Sequence, residues 1–191
     1  TREWIPVTPA AHYSCGGVKV DANGETSVHR LYALGETSCT GLHGANRLAS
    51  NSLIEAVVYA DQAARHASAQ LPKVVIQEGI PDWDFEGTQH TEEMLLIIQS
   101  KREMQTIMTN YVGIVRSNLS LKRAMRRLAI LFEETEELYN KTKPNRELCE
   151  LRNMIAVAYL VIKQGRELKE SVGCHYLSLI HISEPTRHLR I

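Results

Sequence analysis

The stretch GLHGANRLASNSL, residues 41–53, places a histidine, an arginine and two asparagines beside two glycines and ahead of an apolar run that is typical of a helix. A helix N-terminus needs only one capping residue, here Ser50 or Asn51, so the other polar side chains call for a different role. A strand-like run at residues 30–34 precedes the stretch, and a helix is predicted at residues 52–68. Cofactors and anions bind where a strand end meets a helix N-terminus, because free N–H groups and the helix dipole point there. The order of elements therefore predicts a ligand site.

The polar side chains in and near this stretch fit an anionic ligand. The two glycines let a ligand approach the backbone closely, and Arg47 offers a planar fork suited to a carboxylate. His12 and His43 could bind or exchange protons near neutral pH, and Glu36 could accept hydrogen bonds from the hydroxyls of a sugar-like chain. Two structural alternatives stay open: Arg47 could tie the loop to a structural carboxylate, and His43 could bond to the backbone. From the residues alone, we predict an anion or cofactor pocket.

The spacing of apolar residues changes along the chain and predicts an α+β fold. Residues 71–90 contain two prolines and two glycines and are predicted to be a connector. From Thr91 the pattern predicts three amphipathic helices, at residues 91–117, 119–140 and 146–171, whose short connections favour an antiparallel three-helix bundle. The predicted inner face of the helix at 52–68 contains Leu53, Val57, Ala60 and Ala64. The predicted buried positions of the three later helices are Met94, Ile97, Ile98, Met104, Met108, Tyr111 and Val115 in the first, Leu121, Met125, Leu128, Phe132 and Leu138 in the second, and Leu148, Leu151, Ile155, Ala158 and Ile162 in the third.

The composition of the 191-residue chain is that of an ordinary globular protein and argues against several functional classes. Lys plus Arg and Asp plus Glu both number 22, so no net field recruits nucleic acid or an anionic membrane. The basic run at residues 122–127 allows a nucleic-acid surface, but the acidic run at 133–137 favours a solvated helix face. The four cysteines show no CxxC pair and no metal-ligand spacing, which favours reduced thiols and no metal site. No apolar run has the length of a membrane span.

Three motifs resemble those of one known family. They are PAAHYSCGGVKVD at residues 9–21, LYALGETSCTGLHGANRLASNSL at residues 31–53, and ES-x-G-x-HY at residues 170–176. Together they resemble the flavoproteins that include L-aspartate oxidases, fumarate reductases and succinate dehydrogenases. The resemblance covers about residues 5–176 and is most specific in the first 60. The residues around HGANRL look most like the L-aspartate oxidase branch.

The resemblance implies an FAD-dependent oxidoreductase. In that branch, L-aspartate is oxidised to iminoaspartate in the cytoplasm for de novo NAD biosynthesis, electrons pass to oxygen or fumarate, and the product goes to quinolinate synthase. An alternative is a fumarate reductase or succinate dehydrogenase flavoprotein subunit, with fumarate or succinate as substrate. An alternative from another class is a non-catalytic helical interaction module.

The resemblance also implies roles for particular residues. His12 and Arg47 would bind the carboxylates of the substrate, and His43 would line the same cavity. The start of the helix would stabilise negative charge at one edge of the flavin. The implied FAD-binding residues are Glu36, which would hold hydroxyls of the cofactor, and Asn51, Ser52 and Leu53 at the helix start.

The chain departs from the family pattern in two ways. The GxGxxG nucleotide-binding segment and the capping domain with its catalytic arginine do not occur in it, so we predict a C-terminal fragment that is inactive alone. The sequence LSLIHISEPTR, which begins at Leu177, resembles a translated sequencing adapter. The expected domains are the C-terminal part of a Rossmann-like FAD-binding domain at 1–70, the connector at 71–90, the bundle at 91–176, and a non-native tail at 177–191 that adds no stability.

Overall fold

The computed structural model describes residues 4–7, 10–82, 84 and 94–178, and the chain divides into two compact units. The first unit is Thr1–Asp82 and the second is Trp83–Ile191. The division falls within the stretch that the sequence predicts to be a connector. None of the described helices combines the length and the apolar character needed to cross a membrane.

Among the residues described in the first unit are one short sheet and one long helix. Strand β1 (Val18–Lys19) pairs in parallel with β2 (Ser38–Cys39), which follows directly on a 3-10 turn at Gly35–Thr37. Helix α1 (Ser52–Gln70) starts at the predicted residue and runs two residues past the predicted end. A second 3-10 turn, Leu71–Lys73, follows the helix.

The predicted strand at residues 30–34 is wrong. Only a single bridge, between Glu25 and Tyr32, forms there, and Leu31 is 51% exposed. Arg30 adopts a φ of 64°, in the left-handed region, so the chain turns where the strand would have begun. The segment is instead tied to α1 by a hydrogen bond of 2.8 Å between the Tyr32 hydroxyl and His66 Nδ1.

The predicted inner face of α1 is also wrong, because the helix presents its opposite side to the unit. Leu53 is 81% exposed and Val57 is 69% exposed, whereas Glu55 is only 4% exposed. The helix is oriented by polar contacts of Glu55 with the preceding loop rather than by its apolar stripe. Ala63 is the one hydrophobic residue of the helix that is fully buried among the residues described.

The approach of Gly17 to the neighbouring strand depends on its lack of a side chain. Gly17 has a φ of 141°, and a Cβ added there would lie 2.2 Å from the carbonyl oxygen of Thr37. At Gly16 the nearest such atom, the carbonyl oxygen of Ser14, is 3.8 Å away. The glycine at position 17 therefore permits the β1–β2 pairing.

Gly17→Ala is expected to destabilise the first unit by about 1 to 3 kcal/mol, because the clash is with backbone that cannot rotate aside. Amide hydrogen exchange at Val20 and its neighbours in β1 and β2 measures the change. The matched control is Gly16→Ala, which should leave exchange rates nearly unchanged. Equal effects of the two substitutions would contradict the role given to Gly17.

Within its described residues, the second unit contains three helices and one short sheet. The helices are α2 (Met94–Tyr111), α3 (Asn118–Lys141) and α4 (Arg146–Glu167), and β3 (Val115–Arg116) pairs in parallel with β4 (Tyr176–Leu177). The Ser117 side chain accepts from the backbone N–H of Ser120 at 3.0 Å and starts α3 with a capping box. The Asn145 side chain accepts from the N–H of Leu148 at 2.8 Å and caps α4.

Two predicted helix ends need correction. The first helix, expected to reach residue 117, ends at Tyr111 because the chain turns at Gly113 and enters β3. The third, expected to reach residue 171, ends at Glu167 because Leu168 is extended, with φ −76° and ψ 111°. The predicted start of the first helix, residues 91–93, lies outside the described residues.

The core of the second unit lies where the three helices meet. All five positions predicted for α4 are buried, as are Ile97 and Met104 of α2 and Leu121 and Leu128 of α3. Val115 is 65% exposed and Phe132 is 49% exposed, so these two predictions are wrong. The same holds for Ile98 and Met94, which are 41% and 39% exposed. The buried positions that the helical spacing missed are Ile107, Val112, Ala124, Leu131 and Leu177.

The predicted start of the tail is corrected by the packing of β4. Leu177 is 3% exposed, and the N–H of Ser178 donates to the carbonyl oxygen of Arg116 at 2.7 Å. Leu177 and Ser178 therefore belong to the packed unit, since burial of a leucine side chain stabilises it. The rest of the predicted tail, residues 179–191, lies outside the described residues.

The ES-x-G-x-HY segment is held to β3 through one buried histidine. His175 Nε2 donates to the carbonyl oxygen of Leu168 at 3.2 Å, so Nδ1 accepts from Arg116 Nη1 at 3.1 Å. Arg116 Nε donates to the carbonyl oxygens of Val112 and Gly113. Burial lowers the pKa of the Arg116 guanidinium below its ordinary value.

Candidate functional site

The loop before α1 exposes its backbone at two glycines. Gly41 and Gly44 have φ values of 91° and 55°, and a Cβ built on either would meet no atom within 4 Å. Ser50 also has a positive φ, 66°, where the loop enters the helix. The loop thus combines left-handed turns with open space beside its backbone, which suits close approach of a ligand.

The first turn of α1 leaves amide groups available. Asn51 is the N-cap residue, but its side chain donates to the carbonyl oxygen of Ala49 at 2.9 Å and caps nothing. The first helical hydrogen bond runs from the N–H of Glu55 to the carbonyl oxygen of Asn51. The amides of Ser52 and Leu53 have no acceptor within the described part of the chain. Because the helix dipole adds partial positive charge here, this turn favours an anionic or electron-rich group.

Arg47 is held at the helix start with part of its guanidinium unused. Its Nε donates to the Ser52 hydroxyl at 2.8 Å, and its Cζ lies 5.3 Å from the centre of the Tyr13 ring. Its two terminal NH₂ groups have no acceptor among the residues that the structure describes. A guanidinium fixed in this way presents a bidentate fork, the geometry that a carboxylate prefers.

The His43 side chain is almost fully buried, and both of its ring nitrogens are engaged within the protein. Nδ1 accepts from the N–H of Leu48 at 3.1 Å, which assigns the proton to Nε2. Nε2 then donates to Glu55 Oε2 at 2.9 Å, and the side chains of His43 and Glu55 are 8% and 3% exposed. His43 therefore has no nitrogen free for a ligand carboxylate in this arrangement. The alternative in which His43 bonds to the backbone matches the contact with Leu48.

Reasoning from the sequence did not identify three residues of this cluster. Thr40 donates its hydroxyl proton to Glu55 Oε1, and Tyr13 contacts the His43 ring edge-on at a centroid distance of 4.9 Å. Burial, followed by the nearby carboxylates of Glu55 and Glu36, raises the pKa of the Tyr13 phenol above its ordinary value, so Tyr13 stays neutral. Glu55 lies in the first turn of α1, where acidic residues are common, so its position alone gave no signal that it points inward.

The remaining predicted site residues lie closer to solvent. Glu36 is exposed, and its Oε1 accepts from the N–H of Ser14 at 3.0 Å, which holds the segment around Tyr13 beside the turn Gly35–Thr37. His12 is exposed, and no hydrogen bond or ion pair involves it within the described residues. The structure thus brings Arg47, His43 and Ser52 together, while His12, Glu36 and Leu53 face solvent.

Two family models match the chain. The model described as FAD binding domain covers residues 1–53, and the model described as fumarate reductase flavoprotein C-term covers residues 101–178. The first match includes the site and ends at the start of α1. The second includes most of the three helices and ends at Ser178, after β4.

Curated relatives carry one enzyme name. The chain is 47% identical to L-aspartate oxidase of Vibrio cholerae and 48% identical to that of Pseudomonas aeruginosa, over 92% of this chain and 33% of each relative. It is 40% identical to L-aspartate oxidase 2-b, chloroplastic, of Nicotiana tabacum, over 98% of this chain and 31% of the relative. The chain therefore spans about a third of the length of the curated relatives it matches.

Solved structures with a similar fold include a quinol-fumarate reductase and a mycobacterial Sdh1. A quinol-fumarate reductase with menaquinol molecules is 30% identical with a TM-score of 0.75, over 93% of this chain and 33% of that chain. Mycobacterium smegmatis Sdh1 in complex with UQ1 is 25% identical with a TM-score of 0.70, over 87% of this chain and 30% of that chain. The fold of this chain resembles those of the two solved structures, while its curated relatives are named L-aspartate oxidase.

Proposed function

The chain belongs to the fumarate reductase and succinate dehydrogenase family of flavoproteins, and from this membership we propose that the whole protein is an L-aspartate oxidase. The reaction would be oxidation of L-aspartate to iminoaspartate for NAD biosynthesis, with oxygen or fumarate as electron acceptor. The observation that carries the proposal is the Arg47 fork, held by Ser52 at the first turn of α1 beside open backbone. The names of the curated relatives select aspartate among the dicarboxylates that such a fork could bind.

The domain arrangement is proposed on the same basis. Residues 1–70 would be the C-terminal part of a Rossmann-like FAD-binding domain, which the parallel pairing of β1 with β2 supports. Residues 71–90 would connect it to an antiparallel three-helix bundle at residues 91–176. In support, Arg152 of α4 pairs with Glu136 of α3, and the two lie at similar distances along the chain from the connection between these helices, as antiparallel neighbours do.

The cofactor is FAD, and the described residues fit it. A flat ring system can approach the open backbone at Gly41 and Gly44. The amides of Ser52 and Leu53 can donate hydrogen bonds to its electron-rich edge. We propose that these amides, with Asn51 beside them, face the flavin. Glu36 would hold hydroxyl groups of the cofactor, since only one of its oxygens bonds to Ser14 and the side chain is exposed.

In the proposed reaction, this chain binds and orients the substrate. The terminal NH₂ groups of Arg47 would hold one carboxylate of the substrate. His12, which directly precedes Tyr13 in the sequence and is exposed, would contact the substrate from the solvent side. FAD, when bound, supplies the acceptor for the hydride that leaves Cα. Fixing the dicarboxylate in one orientation toward that acceptor is the contribution of these residues to the rate.

Two other functions predict different results. A fumarate reductase or succinate dehydrogenase flavoprotein would use the same Arg47 fork but prefer a substrate without an amino group. A non-catalytic helical module would depend on α2, α3 and α4 and would need no flavin. The substrate and the flavin content therefore separate the three hypotheses.

The deciding experiment is purification of the whole protein, a flavin absorbance spectrum, and assays with L-aspartate and with succinate. We expect one FAD per chain and a kcat/KM for L-aspartate well above that for succinate. Preference for succinate would support the respiratory alternative. A colourless protein that gains no flavin on addition of FAD would contradict both enzyme hypotheses.

The location and the downstream partner follow from the same family resemblance. We propose a cytoplasmic enzyme whose product passes to quinolinate synthase. Because positive and negative charges of the chain are balanced, it has no net electrostatic field that would attract nucleic acid or anionic lipid. Co-purification of the two enzymes from cells, with and without L-aspartate, would test the partnership.

A further inference from the structure

Several side chains beside the proposed carboxylate site form one continuous set of contacts. Glu55 accepts hydrogen bonds from His43 and Thr40, and the His43 ring lies edge-on to Tyr13 at 4.9 Å. Tyr13 also contacts Arg47, whose Cζ lies 5.3 Å from the ring centre. We refer to Thr40, His43, Glu55 and Tyr13 as the carboxylate brace.

The carboxylate brace is unusual because its centre is a buried acid. The Glu55 side chain is 3% exposed, and its described partners are a hydroxyl and an imidazole that carries its proton on Nε2. Burying a carboxylate is unfavourable unless hydrogen bonds satisfy it, and such a group is weak evidence for a gain in stability. Nor can His43 bind the substrate directly, because both of its nitrogens are engaged. The arrangement therefore calls for a role beyond stability and beyond direct substrate binding.

We propose that Glu55 is a positioning residue that fixes His43 as the Nε2–H tautomer and, through Tyr13, sets the place of the Arg47 guanidinium. Its kinetic consequence rests on the proposed function, since the same carboxylate site is concerned. The role of His43 changes accordingly, from lining the substrate cavity to supporting the ring on which Arg47 rests.

The physical reason is that an arginine side chain has many rotamers and needs more than one contact to hold it. The Ser52 hydroxyl fixes Nε of Arg47, and the Tyr13 ring limits the guanidinium on one face. Without the acceptor on Glu55, the His43 ring can rotate, and Tyr13 loses the edge contact that holds it. A guanidinium that samples several positions binds a carboxylate less often in the reactive orientation, which lowers both binding and rate.

The first test is independent of flavin and of activity. In the 191-residue chain with ¹⁵N-labelled histidine, we expect His43 to show an unprotonated Nδ1 and a slowly exchanging Nε2 proton. Glu55→Ala should abolish the slow exchange, whereas Glu55→Gln should preserve it because the amide oxygen still accepts. Asp61→Ala, on the same helix and exposed, is the control. A wild-type His43 that carries its proton on Nδ1, or that averages both tautomers, would overturn the proposal.

The second test measures the consequence in the whole protein. Glu55→Ala should lower kcat/KM for L-aspartate roughly 10- to 100-fold with an unchanged flavin content, through both KM and kcat. Glu55→Gln should recover most of the loss, and Asp61→Ala should match the wild type. A Glu55→Ala protein with wild-type kcat/KM, or one that no longer folds around FAD, would assign Glu55 no positioning role. If the wild-type protein oxidised no dicarboxylate, the proposed function would fail. The tautomer of His43 would still show whether Glu55 positions the His43 ring.

Discussion

Arg47→Lys should lower kcat/KM for L-aspartate in the whole protein by roughly 100- to 1,000-fold while FAD stays bound. Lysine keeps the positive charge but has no fork, so it cannot hold both oxygens of a carboxylate. It also loses the planar group that rests over Tyr13 and the Nε that bonds to Ser52. Because orientation of the substrate is lost together with affinity, both kcat and KM should change. Steady-state kinetics and the flavin spectrum of the purified variant measure these effects.

The matched control for this substitution is Arg65→Lys. Arg65 lies on α1, its side chain is 79% exposed, and it pairs with Asp61 four residues earlier. An exposed ion pair of this kind contributes little, so the variant should keep wild-type kinetics. Equal and small effects at the two arginines would contradict the assignment of Arg47 to the substrate.

Leu121→Ala should destabilise the second unit by about 2 to 5 kcal/mol. Leu121 is 0% exposed in the first turns of α3 and belongs to the core that all three helices share. Truncation to alanine removes the buried methyl groups and leaves a cavity in a region where the helices cannot collapse freely. Urea unfolding followed by circular dichroism at 222 nm measures the change in the free energy of unfolding. Most of the signal at this wavelength comes from the helices of the second unit.

The matched control is Leu119→Ala, two residues earlier in the same helix. Leu119 is 47% exposed, so its truncation should cost much less, on the order of 0.5 kcal/mol. The comparison keeps residue type, helix and propensity constant and varies only burial. Similar losses at both positions would show that the helices pack differently from the description given above.

Periodicity predicted the second unit better than the first because packing there follows the apolar stripe. In α4 every predicted position is buried, from Leu148 to Ile162. In α1 the stripe through Leu53 and Val57 is exposed, because the contacts of Glu55 decide which side faces the unit. A rule based on hydrophobic spacing cannot weigh one buried carboxylate against four apolar side chains.

The sequence likewise identified some residues of the candidate site and missed others. Arg47 and Ser52 could be picked out because an arginine beside a helix N-terminus has a recognisable chemical use, and the structure places them in contact. Tyr13 and Glu55 could not, since they lie 42 positions apart in the numbering and both contact His43 only once the chain has folded. Contacts between such distant positions depend on the path of the loop, which the left-handed turns at Gly41 and Gly44 determine.

The parallel pairing of β3 with β4 has a consequence for the order in which the second unit folds. Residues 115 and 116 pair with residues 176 and 177, so this pair closes a loop that contains all of α3 and α4. Closing a long loop carries an entropic cost that nearest-neighbour helix contacts do not have. Helices α2, α3 and α4 can therefore associate before β4 pairs with β3. The contacts that bury Leu177 and His175 therefore form last, and until then the Arg116 side chain is exposed to water.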